Sequence, residues 1–361
     1  MTTTVPRTFE GPAPREVLFE PYRLPGGLLL PNRILLAPCT RNRATADLSV
    51  TPGAVGYYAE RAKAGLLITE ASVISPEAQG YVDTPGIFRD THVRAWAAVT
   101  EGVHKAGGRI FLQLWHTGRM GHSHWSGMQP LAPSAVLDPN ARRQTRGLQL
   151  FHEMPREMTE ADIGKAIADY AAAASRAIQA GFEGIEIHGA NGYLPEQFMR
   201  RHTNRRTDAW GGSPERHSRF TLDVVDACSA AIGAARVGLR LSPAAYFSEM
   251  QWTQGDNENY LCLMGELAKR PICYLHSGIV DDDPYDYLGC TSTEFLRRHW
   301  RGTLIGNGAY TPDAAASHIA AGAYDLIAFG RLFIANPDLV DRIAARAPLK
   351  EYSRPLLDLL T

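Results

Sequence analysis

Gly184-Ile185-Glu186-Ile187-His188 runs without a break into Gly189-Ala190-Asn191-Gly192-Tyr193. A short, mostly apolar run that closes on a polar or glycine residue, next to a helical pattern, reads as one strand of a parallel sheet. The helical pattern lies just upstream. Across residues 161–180 (ADIGKAIADYAAAASRAIQA) the apolar positions share one helical face, and Lys165 and Asp169 turn to water. Working outward, comparable runs fall at 34–36, 66–69, 110–114, 237–241, 272–276, 304–305 and 326–329. With 184–188 these make eight, and strands alternating with helices imply a right-handed parallel arrangement. Eight strand–helix units in a chain of 361 residues predict a single (β/α)8 TIM barrel spanning residues 1–361. A doubly wound sheet fits less well, because no G-x-G-x-x-G follows the first strand.

Composition narrows the function classes. A hydrophobic content of 45% supports a large core, while a net charge of -1 gives no reason to expect nucleic acid or an anionic membrane as partner. The five cysteines are scattered, with no C-x-x-C pair, which argues against a disulfide framework and for a reducing compartment. Residues 1–20 lack the apolar run of a signal peptide, and no stretch of about 18 apolar residues follows. The sequence therefore predicts a cytoplasmic protein acting on small molecules.

Three segments depart from the rhythm. Residues 1–17 are expected to be an extended N-terminal segment. Leu24-Pro25-Gly26-Gly27-Leu28 reads as a hairpin turn that closes the barrel bottom. Residues 117–155, after the third strand, exceed an ordinary strand-to-helix loop and predict a lid over the active site.

In such a barrel the reactive groups stand at the carboxyl ends of the strands. Here those ends carry Thr40, Ala71, Gln113 with Trp115 and His116, His188, Arg240, His276, Gly308, and Gly330 with Arg331. All five lysines (Lys63, Lys105, Lys165, Lys269, Lys350) fall in helical or loop contexts, which excludes a Schiff-base lysine inside the barrel. The first strand lacks His-x-His, so a metal-dependent barrel hydrolase rests only on His116, His188 and His276, and no metal site is expected. Gly306-Asn307-Gly308-Ala309 and Gly330-Arg331 end the last two strands. They could cradle a phosphate with backbone N–H groups and a guanidinium, or be plain turns. His188 and Asn191, three apart after the fourth strand, can present two donors to one oxygen. Tyr193 follows, and with a reference pKa near 10 it is protonated at neutral pH and can donate a proton.

Longer motifs then carry a resemblance. Leu30-Pro31-Asn32-Arg33, Ala37-Pro38-Cys39-Thr40-Arg41, Gly65-Leu66-Leu67-Ile68-Thr69-Glu70, Gln113-Leu114-Trp115-His116-Thr117-Gly118-Arg119, HGANGYLPEQF from His188 to Phe198, Arg240-Leu241-Ser242-Pro243 and Phe329-Gly330-Arg331 stand in order along 18–342. On these the chain resembles the Old Yellow Enzyme family of FMN-dependent ene-reductases. The resemblance implies non-covalent FMN across the barrel mouth. Thr40 would then bond the flavin O4, with Pro38, Cys39 and Ala71 along the ring and Gln113 on the pyrimidine edge. Arg240 would lie near N1 and O2, and Gly308, Ala309, Gly330 and Arg331 around the phosphate.

It further implies that NADH or NADPH reduces the flavin, which passes hydride to the β-carbon of an activated alkene, an α,β-unsaturated carbonyl or nitro compound. His188 and Asn191 would hold the substrate oxygen, Tyr193 would protonate the α-carbon, and Tyr81, Trp115 and Phe247 would wall the pocket. Phenolic ligands would bind the same clamp, and the protein would act as a monomer or homodimer. Cys39 beside Thr40 resembles the branch with Thr at the flavin-tuning site, so Cys39 is read as a passive wall. The tail from Tyr352 and the acidic, Tyr-rich 277–293 depart from the family pattern. A flavin-binding barrel without catalysis is the remaining alternative.

Overall fold

The computed structural model describes residues 14–137, 142–145, 148–244, 247 and 250–358. Eight parallel strands form a closed barrel: β1 (Ile34–Leu36), β2 (Leu66–Ile68), β3 (Ile110–Trp115), β4 (Gly184–Gly189), β5 (Val237–Leu241), β6 (Tyr274–Ser277), β7 (Leu304–Gly306) and β8 (Leu326–Phe329). Each pairs with the next, β3 pairs β4, and β8 returns to β1 through Ile327↔Ile34, Ala328↔Leu35 and Phe329↔Leu36. The helices that follow each strand are α1 (Gly53–Ala59), α2 (Asp90–Lys105), α3 (Glu160–Gln179), α4 (Pro214–Ile232), α5 (Asp256–Leu267), α6 (Ser292–His299), α7 (Pro312–Ala320) and α8 (Leu339–Ala344). All eight predicted runs are barrel strands. Several ends move by one residue, and the largest shift is at β6, which begins at Tyr274 rather than 272 because the Ile272 N–H turns back to the Arg270 carbonyl at 2.9 Å.

The 161–180 pattern folds as predicted. Thr159 and Asp162 close a capping box at the start of α3, satisfying N–H groups that the first turn leaves unpaired. Ile163, Ala166, Tyr170, Ala173, Ala174 and Ala177 are buried against the barrel. On the outer face Lys165 bridges Asp169 (2.6 Å) and Glu77.

Strand alternation separates two cores. Ile185, Ile187, Leu239, Leu241 and Leu275 pack outward under the helices. Inside the barrel, Leu35, Leu66, Ile68, Phe111, Tyr274, Ile305 and Leu326 join Leu24 and Leu30. The last two come from the N-terminal hairpin, where Tyr22 and Arg23 pair with Leu30 and Leu29. Its turn needs glycine: Gly26 and Gly27 have φ +83° and +94°. The hairpin thus plugs the bottom, and the site can lie only at the other end.

The expected extended N-terminal segment is corrected in part. Residues 1–13 lie outside the described residues, but Arg15–Phe19 is a short 3-10 helix with Leu18 buried in the outer core. The 117–155 excursion is structured where described. Leu131–Ala132 pairs in parallel with Arg156–Glu157, Arg142–Thr145 pairs with Leu148–Phe151, and His122 Nε2 meets the Phe151 carbonyl at 3.0 Å. Residues 138–141 and 146–147 lie outside the described residues.

Candidate active site

A cavity of about 580 Å³ opens at the carboxyl ends of the strands. It brings together Pro38, Cys39 and Thr40 after β1, Gln113 of β3, His188 of β4 and Arg240 of β5. Asn191, Tyr193 and Phe247 also line it, as do Gly308, Ala309, Gly330 and Arg331 at the ends of β7 and β8. Strand register explains the convergence. Gln113 sits beside Glu186, and Arg240 sits between His188 and His276, so inward-facing side chains of β3 to β6 form two polar layers above the apolar plug.

The turn after β4 is strained and held. Asn191 and Gly192 both adopt left-handed backbone, φ +60° and +78°, which asparagine and glycine tolerate best. Glu196 accepts the Gly192 N–H (2.8 Å) and the Ser242 hydroxyl (2.7 Å), and the same hydroxyl oxygen accepts the Asn191 N–H at 3.0 Å. Arg200, fully buried, donates to Glu196 at 2.9 Å and to the Ser242 carbonyl at 2.7 Å. Gln197 donates to the Gly192 carbonyl at 2.7 Å. The Asn191 amide donates to the Gly278 carbonyl at 3.1 Å, which orients the side chain at the cavity wall.

Electrostatics fix the protonation states. Burial, with the positive charge of Arg240 beside it, holds the His188 imidazole well below its ordinary pKa, so it is neutral and carries one N–H. Burial opposes ionisation of Glu186. The His276 and Arg240 neighbours, with the Gln113 amide, outweigh it and keep the carboxyl below its usual range. Burial lowers His276, so the imidazole donates Nδ1–H to the carboxylate as a neutral ring, at 2.8 Å. Desolvation also pushes the Cys39 thiol up, away from thiolate.

An aromatic set backs the turn. Trp115 stacks on Tyr81 (centroids 5.1 Å) and meets Tyr193 edge-on at 4.8 Å, and Tyr81 Oη lies 3.0 Å from Tyr193 Oη. Tyr81 and Trp115 therefore stand behind Tyr193 and His188 rather than among the residues lining the cavity. Trp115, only 2% exposed, is drawn inward by this packing. Ala71 likewise belongs to the buried core, not the wall. The excursion at 117–155 contributes no lining residue among the described residues; Ile279, Val280, Leu349, Glu351 and Tyr352 do. Of these, Ile279, Val280 and Tyr352 fall in the two segments that departed from the family pattern, while Leu349 and Glu351 carried no signal in the sequence. His116, fully buried and held near pKa 4 by desolvation, accepts the Gly118 N–H at 3.1 Å in a structural role. Another cavity, about 610 Å³, sits on the outer surface between α4 and α5, where charges such as Arg219 and Asp223 pair with each other.

The polar wall suits a flat, hydrogen-bonding, anionic cofactor. Arg240 is 7% exposed, with its Nε buried and lacking a hydrogen-bond partner, as are His188 Nδ1 and His276 Nε2. Such groups are costly unless a ligand meets them. The glycines leave room at the mouth: a Cβ on Gly330 would lie 3.0 Å from the Cys39 sulfur. Among the described residues, no group of three or more His, Cys, Asp or Glu side chains forms a metal-ligating cluster.

Comparison with known proteins agrees with that chemistry. Residues 17–350 match the model of the NADH:flavin oxidoreductase / NADH oxidase family. The structure of an Old Yellow Enzyme homologue from Zymomonas mobilis superposes with a TM-score of 0.88 at 38% identity, over 95% of this chain and 97% of that one. Morphinone reductase in complex with tetrahydroNAD gives 0.86 at 40% identity, over 94% and 93%. The 12-oxophytodienoate reductase 1 of Oryza sativa subsp. japonica is 38% identical over 342 residues, 93% of this chain and 88% of that protein. The chain belongs to the NADH:flavin oxidoreductase / NADH oxidase family, among the Old Yellow Enzyme homologues. It is an FMN-dependent oxidoreductase of the ene-reductase type that takes its electrons from NAD(P)H and acts on small activated alkenes. The comparisons lend no support to a barrel hydrolase or a non-catalytic barrel.

Proposed function

We propose that ene reduction is divided among the residues of the 580 Å³ cavity, with His188, Asn191 and Tyr193 as the catalytic groups. The observation that carries this is the meeting of a neutral imidazole, an oriented amide and a tyrosine hydroxyl in one cavity, with Arg240 beside the imidazole. Bound FMN supplies the two-electron step, taking hydride from NAD(P)H and passing it to the β-carbon of the alkene. Arg240, Gln113 and Thr40, with Pro38 and Cys39, would hold the ring; Gly308, Ala309, Gly330 and Arg331 would hold the phosphate. Thr40 at the cavity wall supports assigning the chain to the threonine branch, and the raised Cys39 thiol supports a passive role for that residue.

His188 and Asn191 donate to the substrate oxygen as enolate charge develops, and phenolate oxygens bind the same donors. A neutral His188 stabilises the charge without giving up its proton, which leaves proton delivery to Tyr193. The Tyr193 hydroxyl protonates the α-carbon, and its contact with Tyr81 at 3.0 Å gives the phenolate a hydrogen-bond donor. We read the chain as one barrel domain, cytoplasmic, and monomeric or homodimeric. Its five unpaired cysteines support the compartment, and no helix of the described residues is long and apolar enough to cross a membrane. The 117–155 excursion is retained as a lid-like element, supported by its order where described, with Leu131–Ala132 paired to Arg156–Glu157 and Arg142–Thr145 to Leu148–Phe151.

The test is direct. Purified protein should be yellow, release FMN on denaturation, and oxidise NADH or NADPH when 2-cyclohexenone is added. Colourless protein that FMN cannot reconstitute, or a flavoprotein inert towards the enone, overturns the reading.

A further inference from the structure

In the polar layers above the apolar plug, the Glu186 carboxylate is fully buried on β4, two residues below His188. Its partners come from both sides: Gln113 Nε2 of β3 donates at 2.7 Å and His276 Nδ1 of β6 at 2.8 Å. Gln113 is its neighbour in register, but His276 lies two strands away. The strand between carries Gly238 opposite Glu186, and a Cβ there would fall 2.3 Å from the Tyr274 ring. A bare position on β5 therefore lets Tyr274 fill the layer while the carboxylate and imidazole join across it. Leucine or isoleucine would fill this space without burying a charge, and buried charges rarely stabilise a fold over apolar packing. The arrangement points to function.

We propose that Glu186 is the positioning residue of the cofactor face, setting the orientation of the Gln113 amide, the tautomer of His276, and the net charge beneath the flavin. This rests on the cavity being the flavin site. An ionised carboxylate only accepts hydrogen bonds, so the amide nitrogen of Gln113 must face it and Gln113 Oε1 must turn elsewhere. The same constraint places the proton of His276 on Nδ1 and its lone pair on the buried Nε2. Glu186 also offsets Arg240, whose guanidinium has no carboxylate within ion-pair distance among the described residues, so the two layers together are close to neutral.

Glu186→Gln keeps the shape and removes the charge. Nitrogen-15 NMR of the protein without added FMN should show His276 protonated at Nδ1 in the parent and shifted toward Nε2 in the variant. With FMN bound, losing one buried negative charge should favour the reduced flavin by about tenfold over the oxidised form at an effective dielectric of about 20. That ratio appears as a midpoint potential about 30 mV more positive. Glu186→Asp keeps the charge but shortens the reach to Gln113; its potential should stay at the parent value while FMN affinity falls about tenfold. An unchanged His276 tautomer with an unchanged potential in Glu186→Gln overturns the proposal. Should that variant not fold, parent-like FMN affinity in Glu186→Asp overturns it instead. Failure of the parent to bind FMN would count against the cavity assignment, while the tautomer in the unloaded protein still reads out Glu186.

Discussion

Replacing His188 and Asn191 with alanine, singly and together, isolates the oxygen clamp. Each residue is a neutral donor: burial and Arg240 keep the His188 imidazole uncharged, and Asn191 is an amide fixed by Gly278. A donor aimed at an oxyanion is worth about 3 kcal/mol in a water-poor site, so each single substitution should weaken binding of a phenolate by about a hundredfold. The two donors serve one oxygen, so the double variant should fall short of the sum, with a coupling of roughly 1 kcal/mol in the cycle. Asn191→Ala carries a separate cost. Alanine at φ +60° is disfavoured by about 1–2 kcal/mol, which should appear in denaturant unfolding rather than in ligand affinity. The assay is titration of the FMN-loaded proteins with 4-hydroxybenzaldehyde, followed by flavin absorbance. Flavin content should stay at the parent level, since neither side chain is among those assigned to hold it. With His188 neutral throughout, parent affinity should follow the ionisation of the phenol alone, without a step near pH 6.5. A double variant that binds the phenol within a few-fold of the parent, or an imidazole step in the parent curve, refutes the clamp.

Tyr193→Phe should slow alkene reduction by roughly a hundredfold or more while leaving FMN reduction by NAD(P)H near the parent rate, measured as separate half-reactions by stopped flow; equal slowing of both contradicts the assignment. Glu70, buried beside β1, accepts the Arg41 N–H at 2.9 Å, and burial pushes its carboxyl from 4.5 up to about 7. A raised folded-state pKa means the stabilising contribution is complete below about pH 4.5 and is lost as pH rises through 7. The difference between 4.5 and about 7 is worth about 3 kcal/mol. Glu70→Gln should therefore gain about that much stability on the parent between roughly pH 4 and pH 8 in urea unfolding; parallel curves would show that Glu70 stays ionised.

The barrel was legible because parallel strands buried on both faces read as short apolar runs, and a run such as 237–241 allows few other structures. That His188, Asn191 and Tyr193 meet in one cavity was legible because the three stand within six residues, His188 to Tyr193. What lay beyond reading were contacts that only closure of the barrel creates. Glu186 and His276 are 90 residues apart, and Glu196 and Ser242 are 46. Glu186 left a trace in the sequence, an acid inside an apolar strand, but nothing in β4 indicated its partners. Tyr81 and Trp115 do not appear among the residues lining the 580 Å³ cavity for a related reason: an aromatic near a site is drawn to other rings as readily as to a ligand, and here each stacks on the other.

The turn at Asn191 and Gly192 shows why such contacts matter to chemistry as well as to stability. Two consecutive left-handed residues would not persist in an isolated peptide, yet this pair receives a hydrogen bond network from Glu196, Ser242 and Gln197, anchored by a buried arginine. Arg200 is held above its usual pKa, with Tyr260, Glu196 and Asp256 outweighing the cost of burial, so the anchor stays charged. Charged groups in a network this closed resist rearrangement, because breaking one contact leaves its partner buried and unpaired. The Asn191 amide is therefore oriented before any substrate arrives, and donors fixed in advance do not spend binding energy on reorganisation as the enolate forms. By the same logic the LPEQF residues that follow Tyr193, which touch no cavity wall, belong to the machinery of the clamp as much as its two donors do.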